Sequence, residues 1–402
     1  MTNKRIRFVD CTLRDGEQAP GVFFTLDEKL AIADLLDTAG IDILDAGMPS
    51  VSEEERKTLE ALLQRGYRTT IAATVRALRH DIDLALACGI KEVFLFMPVS
   101  PQHLQHKFGI TLQQAQPRIE EAVDYAVGKG LRVNFVAEDT VRADPSELAP
   151  IFDRVSKLGA SSVMICDTVG VMCPETMTKF INSLAQLMES EIAFGVHCHN
   201  DYGLATANTL AAINSGCSLV TATVNGLGER AGNAALEEVI CALDNLYRVP
   251  LNIDKLILQR LCETVAIASG VFLMPTKPIV GLNVFRHESG VHVDGMLKDP
   301  STYESINPEQ LGRKHQFLLG KHAGRGLIET LLNRQGINMS SEVVMRILER
   351  VKTAKVSRDK TAFAQMAAQL QQFWTYHLSF NEEEFWQIVD EELNREHKVA
   401  GV

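Results

Sequence analysis

The eight cysteines lack partners by spacing. They stand at positions 11, 88, 166, 173, 198, 217, 241 and 262, with no CxxC and no paired interval. That excludes a legible disulfide framework and reads as reduced thiols in a cytosolic protein. Long apolar runs are missing too. None approaches the roughly 18 residues of a membrane span, and no secretory core follows Met1. The expectation is a soluble, cytoplasmic chain. Positive charge is in deficit: 40 Lys and Arg against 51 Asp and Glu leave a net −11. Nucleic acid and anionic membranes are therefore disfavoured as partners. Anionic small substrates stay open if Arg, Lys or a metal reverses the sign locally. No GxGxxG follows the first apolar run, and no repeat or low-complexity segment is present. What remains is ample material for a core, with 46% hydrophobic residues in a chain of 402. That length suits one large domain plus an appendage, or two to three ordinary domains.

Eight short apolar, β-branched runs recur: Ile6–Val9, Ile41–Leu44, Thr69–Ala72, Val93–Phe96, Val133–Val136, Val163–Cys166, Ala193–Val196 and Val220–Thr223. Between them lie helical periods such as Leu26–Leu36 and Ile119–Val127. Gly40, Gly66, Gly89, Gly130, Gly159 and Gly216 stand where helix C-caps are expected. Eight strand–helix alternations predict a (β/α)8 TIM barrel, α/β in class. An open doubly wound sheet is the competitor, and it usually has fewer strands.

Barrel chemistry sits at the C-terminal strand ends. Polar residues follow every run: Arg14 and Asp15, Asp45, Arg76, Ser100, Glu138 with Asp139 and Arg142, Thr168, His197 and His199, and the stretch Asn225–Asn233. Any single one reads as a helix cap, but eight on one rim do not. His197 and His199 share a strand side and would aim two imidazoles at one point. Alone they are two hydrogen-bonding histidines or half of a metal site. With Asp15 they form an O/N set for a divalent ion with open positions. Such an ion would polarise the ketone of a 2-oxo acid, and Arg14 could stabilise the resulting alkoxide. His292 or Glu138 could be the base. Cys166 and Cys198 read as packing. The residues by themselves stop at a metal-dependent carbon–carbon bond enzyme or a metal hydrolase.

Four motifs in order carry a resemblance: Asp10–Gln18, His197–Asp201, Gly226–Asn233, and His287–Gly295 with Leu319–Arg325. Together they resemble the 2-isopropylmalate synthase/homocitrate synthase family of the DRE-TIM metallolyase superfamily. The match covers roughly residues 5–330. It implies a barrel (1–275), a linker subdomain (276–330) supplying catalytic residues in trans, and a helical C-terminal subdomain (331–402). The implied reaction is a Claisen condensation of acetyl-CoA with a 2-oxo acid, using a divalent metal (Mg, Mn or Zn), in a homodimer. Residue by residue, the resemblance assigns Asp15, His197, His199 and Asn233 to the metal. Arg14, Glu138, His292 and Tyr303 are assigned to catalysis. Gln18, Arg76, Arg142 and Thr168 are assigned to the substrate. Met48–Glu55 and Asn225–Glu238 look closer to the nitrogen-fixation homocitrate synthases of bacteria, so 2-oxoglutarate is the expected substrate. Leu78 and Ser100–Pro101 depart from that pattern. The alternatives are 2-isopropylmalate, citramalate or phosphonomethylmalate synthase, and more remotely a lyase or aldolase. His103, His106 and Lys107 read as a solvated loop or a CoA phosphate contact. His287 reads as a turn holder.

Overall fold

The computed structural model describes residues 5–376 and 380–400. Parts of the expected outer domains, residues 1–4, 377–379 and 401–402, lie outside the described residues. Eight parallel strands close into a barrel in chain order: β1 Arg7–Asp10, β2 Ile43–Asp45, β3 Thr70–Arg76, β4 Glu92–Pro98, β5 Arg132–Glu138, β6 Ser162–Asp167, β7 Ala193–Cys198 and β8 Leu219–Ala222. β1 closes on β8 with Phe8 opposite Val220 and Val9 opposite Thr221. The predicted (β/α)8 barrel is therefore the fold. Strands covered on both faces show it in their burial: all six residues of β6 are buried. Val9, Cys11, Ile43, Ala72, Phe94, Met164, Cys166 and Leu219 form one core cluster.

Most strands run further than the apolar runs predict. β5 ends at Glu138, paired with Pro98 of β4. The backbone ladder continues where the side chains turn polar, because N–H and C=O pairing does not depend on side-chain polarity. Candidate site residues thus sit on strands as well as on loops. The crossover helices start with ordinary chemistry. Thr25 caps helix Leu26–Ala39 and exchanges bonds with Glu28, a capping box. Gly40 ends that helix in the left-handed region at φ 87°.

By packing, the chain forms two compact units. One holds the described residues up to Ala19, Phe23–Phe285 and Ile306–Lys314. The other holds Pro20–Val22, Arg286–Ser305 and the described residues from His315 on. In the first unit, the Pro275–Pro278 stretch is anchored through its lysine. Lys277 is pinned by Glu237 at 3.2 Å and by Glu238. In the second, β9 (Arg286–His287) pairs in parallel with β10 (Gln316–Phe317). Ala323, Ile328, Val344 and Leu348 make its small core.

Candidate active site

The end of β1 is tied to the end of β8 by short polar links. Asp10 accepts from the Thr12 amide and hydroxyl, both at 2.9 Å. The Thr12 hydroxyl in turn accepts the Val224 amide at 2.9 Å. Burial pushes the Asp10 carboxyl up to about 7, with Thr12 working against it. A tight turn then presents Arg14 and Asp15, whose backbone amides both return to the Cys11 carbonyl. Arg14 Nε donates to Asp45 Oδ2 at 2.8 Å, and Arg14 Nη1 to Asp15 Oδ2 at 3.1 Å. The Thr74 hydroxyl donates to the same Asp45 oxygen at 2.9 Å. Burial pushes the Asp15 carboxyl up, but Arg14 and then His197 and His199 overrule it. Asp15 is held well below the usual carboxylate range.

The two histidines do converge. Their Nε2 atoms lie 3.1 Å apart, and Asp15 Oδ2 is 3.3 Å from His197 Nε2 and 3.9 Å from His199 Nε2. The three ligand atoms fall within 4.8 Å of one another. Thr221, on β8, decides which His197 nitrogen is available. Its hydroxyl donates to the Val196 carbonyl at 3.0 Å, so its oxygen must accept from His197 Nδ1, 2.8 Å away. A proton is thereby fixed on Nδ1, which leaves Nε2, on the Asp15 side, as the nitrogen a metal could take. Burial, then His197, lowers the His199 ring to about 4, so this ring offers a lone pair at neutral pH.

Asn233 lies opposite His199 in an antiparallel bridge. Its Nδ2 donates to the Leu227 carbonyl at 3.2 Å, leaving Oδ1 buried without a partner. Asp15 Oδ1 is also buried and unpartnered. Two orphaned oxygens beside two converging imidazoles are a donor set that suits a divalent cation. Gly228 permits the approach. A Cβ there would stand 2.2 Å from Asn233 Nδ2 and 3.2 Å from Asp15 Oδ1.

Arg14, Asp15, His197 and His199 line a cavity of about 490 Å³. Gln18, Glu138 and Thr168 line it too, with an apolar wall of Phe94, Phe96, Val136 and Met164. Glu138 is not free there. His103 Nδ1 lies 3.0 Å from it, and Lys107 donates to it. His103 and Lys107 are therefore cavity residues rather than a solvated loop. Arg76 and Arg142 are not among the lining residues. Arg76 forks onto Asp81, and Arg142 holds Asp139 through three hydrogen bonds. Asp139 is buried at φ 62°, and its amide donates to the Thr168 hydroxyl at 2.9 Å. Thr168 thus fixes a strained backbone turn as well as facing the cavity. Arg230 joins Asp201 to the Thr168 carbonyl. Burial pushes the Cys11 and Cys166 thiols up, which leaves these lining sulfurs inert.

His292 and Tyr303 belong to the second unit, where their rings stack with centroids 4.0 Å apart. Sequence reasoning missed Thr221, Thr74 and the part Asp45 plays. Thr221 carried a signal: it lies mid-run on the strand next to the His-x-His strand.

Residues 5–266 match the HMGL-like family model, and residues 279–359 match the homocitrate synthase post-HMGL domain-like model. The chain belongs to the HMGL-like family. It is 44% identical over 349 residues to a putative (R)-citramalate synthase of Methanothermobacter thermautotrophicus, covering 87% of this chain and 70% of that protein. It is 43% identical over 343 residues to a homocitrate synthase of Methanopyrus kandleri, covering 85% and 86%. It is also 43% identical over 349 residues to a probable 2-isopropylmalate synthase of Ignicoccus hospitalis, covering 87% of each. The family expected from the four motifs is the one found. A hydroxymethylglutaryl-CoA lyase structure from Pseudomonas aeruginosa superposes with a TM-score of 0.59 at 24% identity, covering 66% of this HMGL-like chain and 93% of that one. That likeness speaks for the barrel alone.

Proposed function

We propose that this HMGL-like protein is an acyltransferase, joining the acetyl group of acetyl-CoA to a 2-oxo acid by Claisen condensation. The carrying observation is the donor set of Asp15, His197, His199 and Asn233 at one end of the barrel, with buried oxygens left uncommitted. A divalent ion (Mg, Mn or Zn) held there would supply Lewis-acid polarisation of the keto group. Arg14 would donate to the oxygen on which negative charge develops. A base removes a proton from the acetyl methyl group, the new carbon–carbon bond forms at the keto carbon, and water then hydrolyses the thioester to free CoA. His292 and Tyr303 take the acid–base work, each site completed by the partner subunit of a cytoplasmic homodimer. Glu138, clamped by His103 and Lys107, is the acidic group at the substrate.

For the 2-oxo acid the first reading is 2-oxoglutarate, which makes the product homocitrate. Its distal carboxylate needs a cation in the cavity. Arg76 and Arg142 are committed outside it, so Lys107 on the cavity wall takes that part, with His103 beside it as a hydrogen-bonding group. The second reading is pyruvate, giving citramalate, and the apolar wall of Phe94, Phe96, Val136 and Met164 favours it. A lyase reading is disfavoured by the second matched domain beyond the barrel. A thiol-release assay with acetyl-CoA and a panel of 2-oxo acids decides. Release with 2-oxoglutarate supports homocitrate synthase, and release with pyruvate alone supports the second reading. No release with any of them sinks the condensation.

A further inference from the structure

A buried charge cluster lies under the loop that carries Asn233, wholly within the first unit. Glu237 sits in the first turn of helix Leu236–Asn245 and is fully buried. Its Oε2 accepts the Asn225 amide at 3.0 Å. Its Oε1 faces Lys277 Nζ at 3.2 Å, an ion pair without hydrogen-bond alignment. Lys277 also donates to Glu238, whose other oxygen accepts the Thr206 hydroxyl at 3.0 Å. Burial pushes the Glu237 carboxyl up, and Lys277 works against it. Burial lowers the Lys277 ammonium, but Glu237 and Glu238 overrule it and hold it above its ordinary value. The cation therefore stays on Lys277.

Asn225 is the residue this cluster holds. Its backbone is left-handed at φ 64°, followed by Gly226 at 73°. A left-handed residue other than glycine persists where its surroundings over-determine it. Two bonds do so here. The Asn225 amide goes to Glu237, and Nδ2 goes to the Cys262 carbonyl of helix Leu258–Ser269 at 2.9 Å. The turn directs the next two carbonyls. That of Gly226 accepts the Asn233 amide at 2.9 Å, and that of Leu227 accepts Asn233 Nδ2 at 3.2 Å. The packing leaves no slack, since a Cβ on Gly232 would stand 1.9 Å from the Gly226 oxygen. Asn233 thus hangs by its backbone and its side chain on carbonyls that the Asn225 turn directs.

We infer that Glu237, backed by Lys277, is a positioning residue: by holding the left-handed turn at Asn225, it sets the carbonyls that aim Asn233 Oδ1 at the candidate metal site. The inference rests on the reading of Asn233 as a metal ligand. Neither Glu237 nor Lys277 is among the residues lining the cavity. Both Glu237 oxygens are in use, one on the Asn225 amide and one on the ammonium. A glutamine has a single oxygen for these two donors, and the charged one takes it. The glutamine NH2 then faces the Asn225 N–H, donor against donor, and the turn loses its hold.

The test uses the full-length chain with Mn2+ as the probe, read by equilibrium dialysis. Glu237→Gln should weaken Mn2+ binding about 10-fold. Adding Lys277→Met frees the glutamine oxygen for Asn225 and should restore binding to within about threefold of the wild type. An ion pair that only stabilised the fold would be broken by either change and restored by neither. In an Asn233→Ala background, Glu237→Gln should weaken binding no further. The Asn233 amide should exchange its hydrogen faster in Glu237→Gln and recover in the double variant, read by mass spectrometry on the 225–233 peptide. Mn2+ binding within about twofold of the wild type in Glu237→Gln overturns the inference. So does a double variant that binds no better than Glu237→Gln, or a further loss in the Asn233→Ala background. A wild type that binds no Mn2+ defeats the metal reading instead, and the exchange then decides: an Asn233 amide as protected in Glu237→Gln as in the wild type overturns the positioning role.

Discussion

An imidazole can give one nitrogen to a metal only when the proton is parked on the other. At His197 the parking place is Thr221, a residue with no charge and no motif of its own. Thr221→Val removes the acceptor while keeping the shape. We expect metal affinity to fall about 10- to 100-fold, read by equilibrium dialysis against Mn2+, with the circular dichroism spectrum unchanged. An affinity within twofold of the wild type would show that the hydroxyl does not set the ring. Asp10 makes a different prediction. Its folded pKa is raised to about 7, above the value of an unfolded aspartate. The folded state therefore holds a proton that the unfolded state has lost between about pH 4 and 7. Stability from this group falls as pH rises through that window and is flat above it. Asp10→Asn does not titrate, so relative to wild type it should gain on the order of 2 kcal/mol between pH 5 and pH 8. Urea unfolding at the two pH values measures the difference, and an unchanged gap contradicts the buried neutral carboxyl.

At the scale of elements, strand length decides what a side chain can reach. β5 carries its ladder through to Glu138, so that carboxylate is placed by sheet hydrogen bonds rather than by a loop. The β8 loop works in the opposite way. It folds back so that Gly232 donates to the Glu229 carbonyl and Asn233 donates to that of Gly226. The loop leaves no space at Gly228. Gly228→Ala should push Asn233 aside, destabilising by about 1–3 kcal/mol. Asn233→Ala in the same chain should relieve most of that loss. A double-mutant cycle by urea unfolding reads the coupling. Strict additivity of the two changes would mean that Gly228 and Asn233 do not compete for the same space.

At the scale of the molecule, the condensation reading divides its labour between the barrel residues and the pair His292–Tyr303. If the pair acts in trans, two dead proteins should rescue one another. Asp15→Ala and Tyr303→Phe are each expected to release almost no thiol. Mixed and allowed to exchange subunits, they should recover up to about a quarter of the wild-type rate, because only mixed dimers carry one intact site. A mixture as inactive as its parts, with exchange verified by mass, would place the pair in its own chain's site. None of the described helices is long and apolar enough to cross a membrane.

The barrel was legible from the sequence because its strands alternate with helices of clear period, and period depends on local backbone geometry. Asp15, His197 and His199 were legible for the same reason: each stands at or just past a predicted strand end, and strand ends share a rim in this fold. The four motifs fixed the family. Local pattern does not report which side chain turns toward which neighbour. Arg76 and Arg142 stand at the right strand ends, yet the carboxylates of Asp81 and Asp139 take them out of the cavity. His103 and Lys107 look like a surface turn in sequence and are drawn onto Glu138 instead. The part of Thr221 and the hold of Glu237 on Asn225 exist only through contacts 24 and 12 residues apart along the chain. Sequence determined the architecture and the residue types of the candidate metal site. Tertiary structure alone decided the proton positions and the charges left available, since both depend on partners that chain order does not reveal.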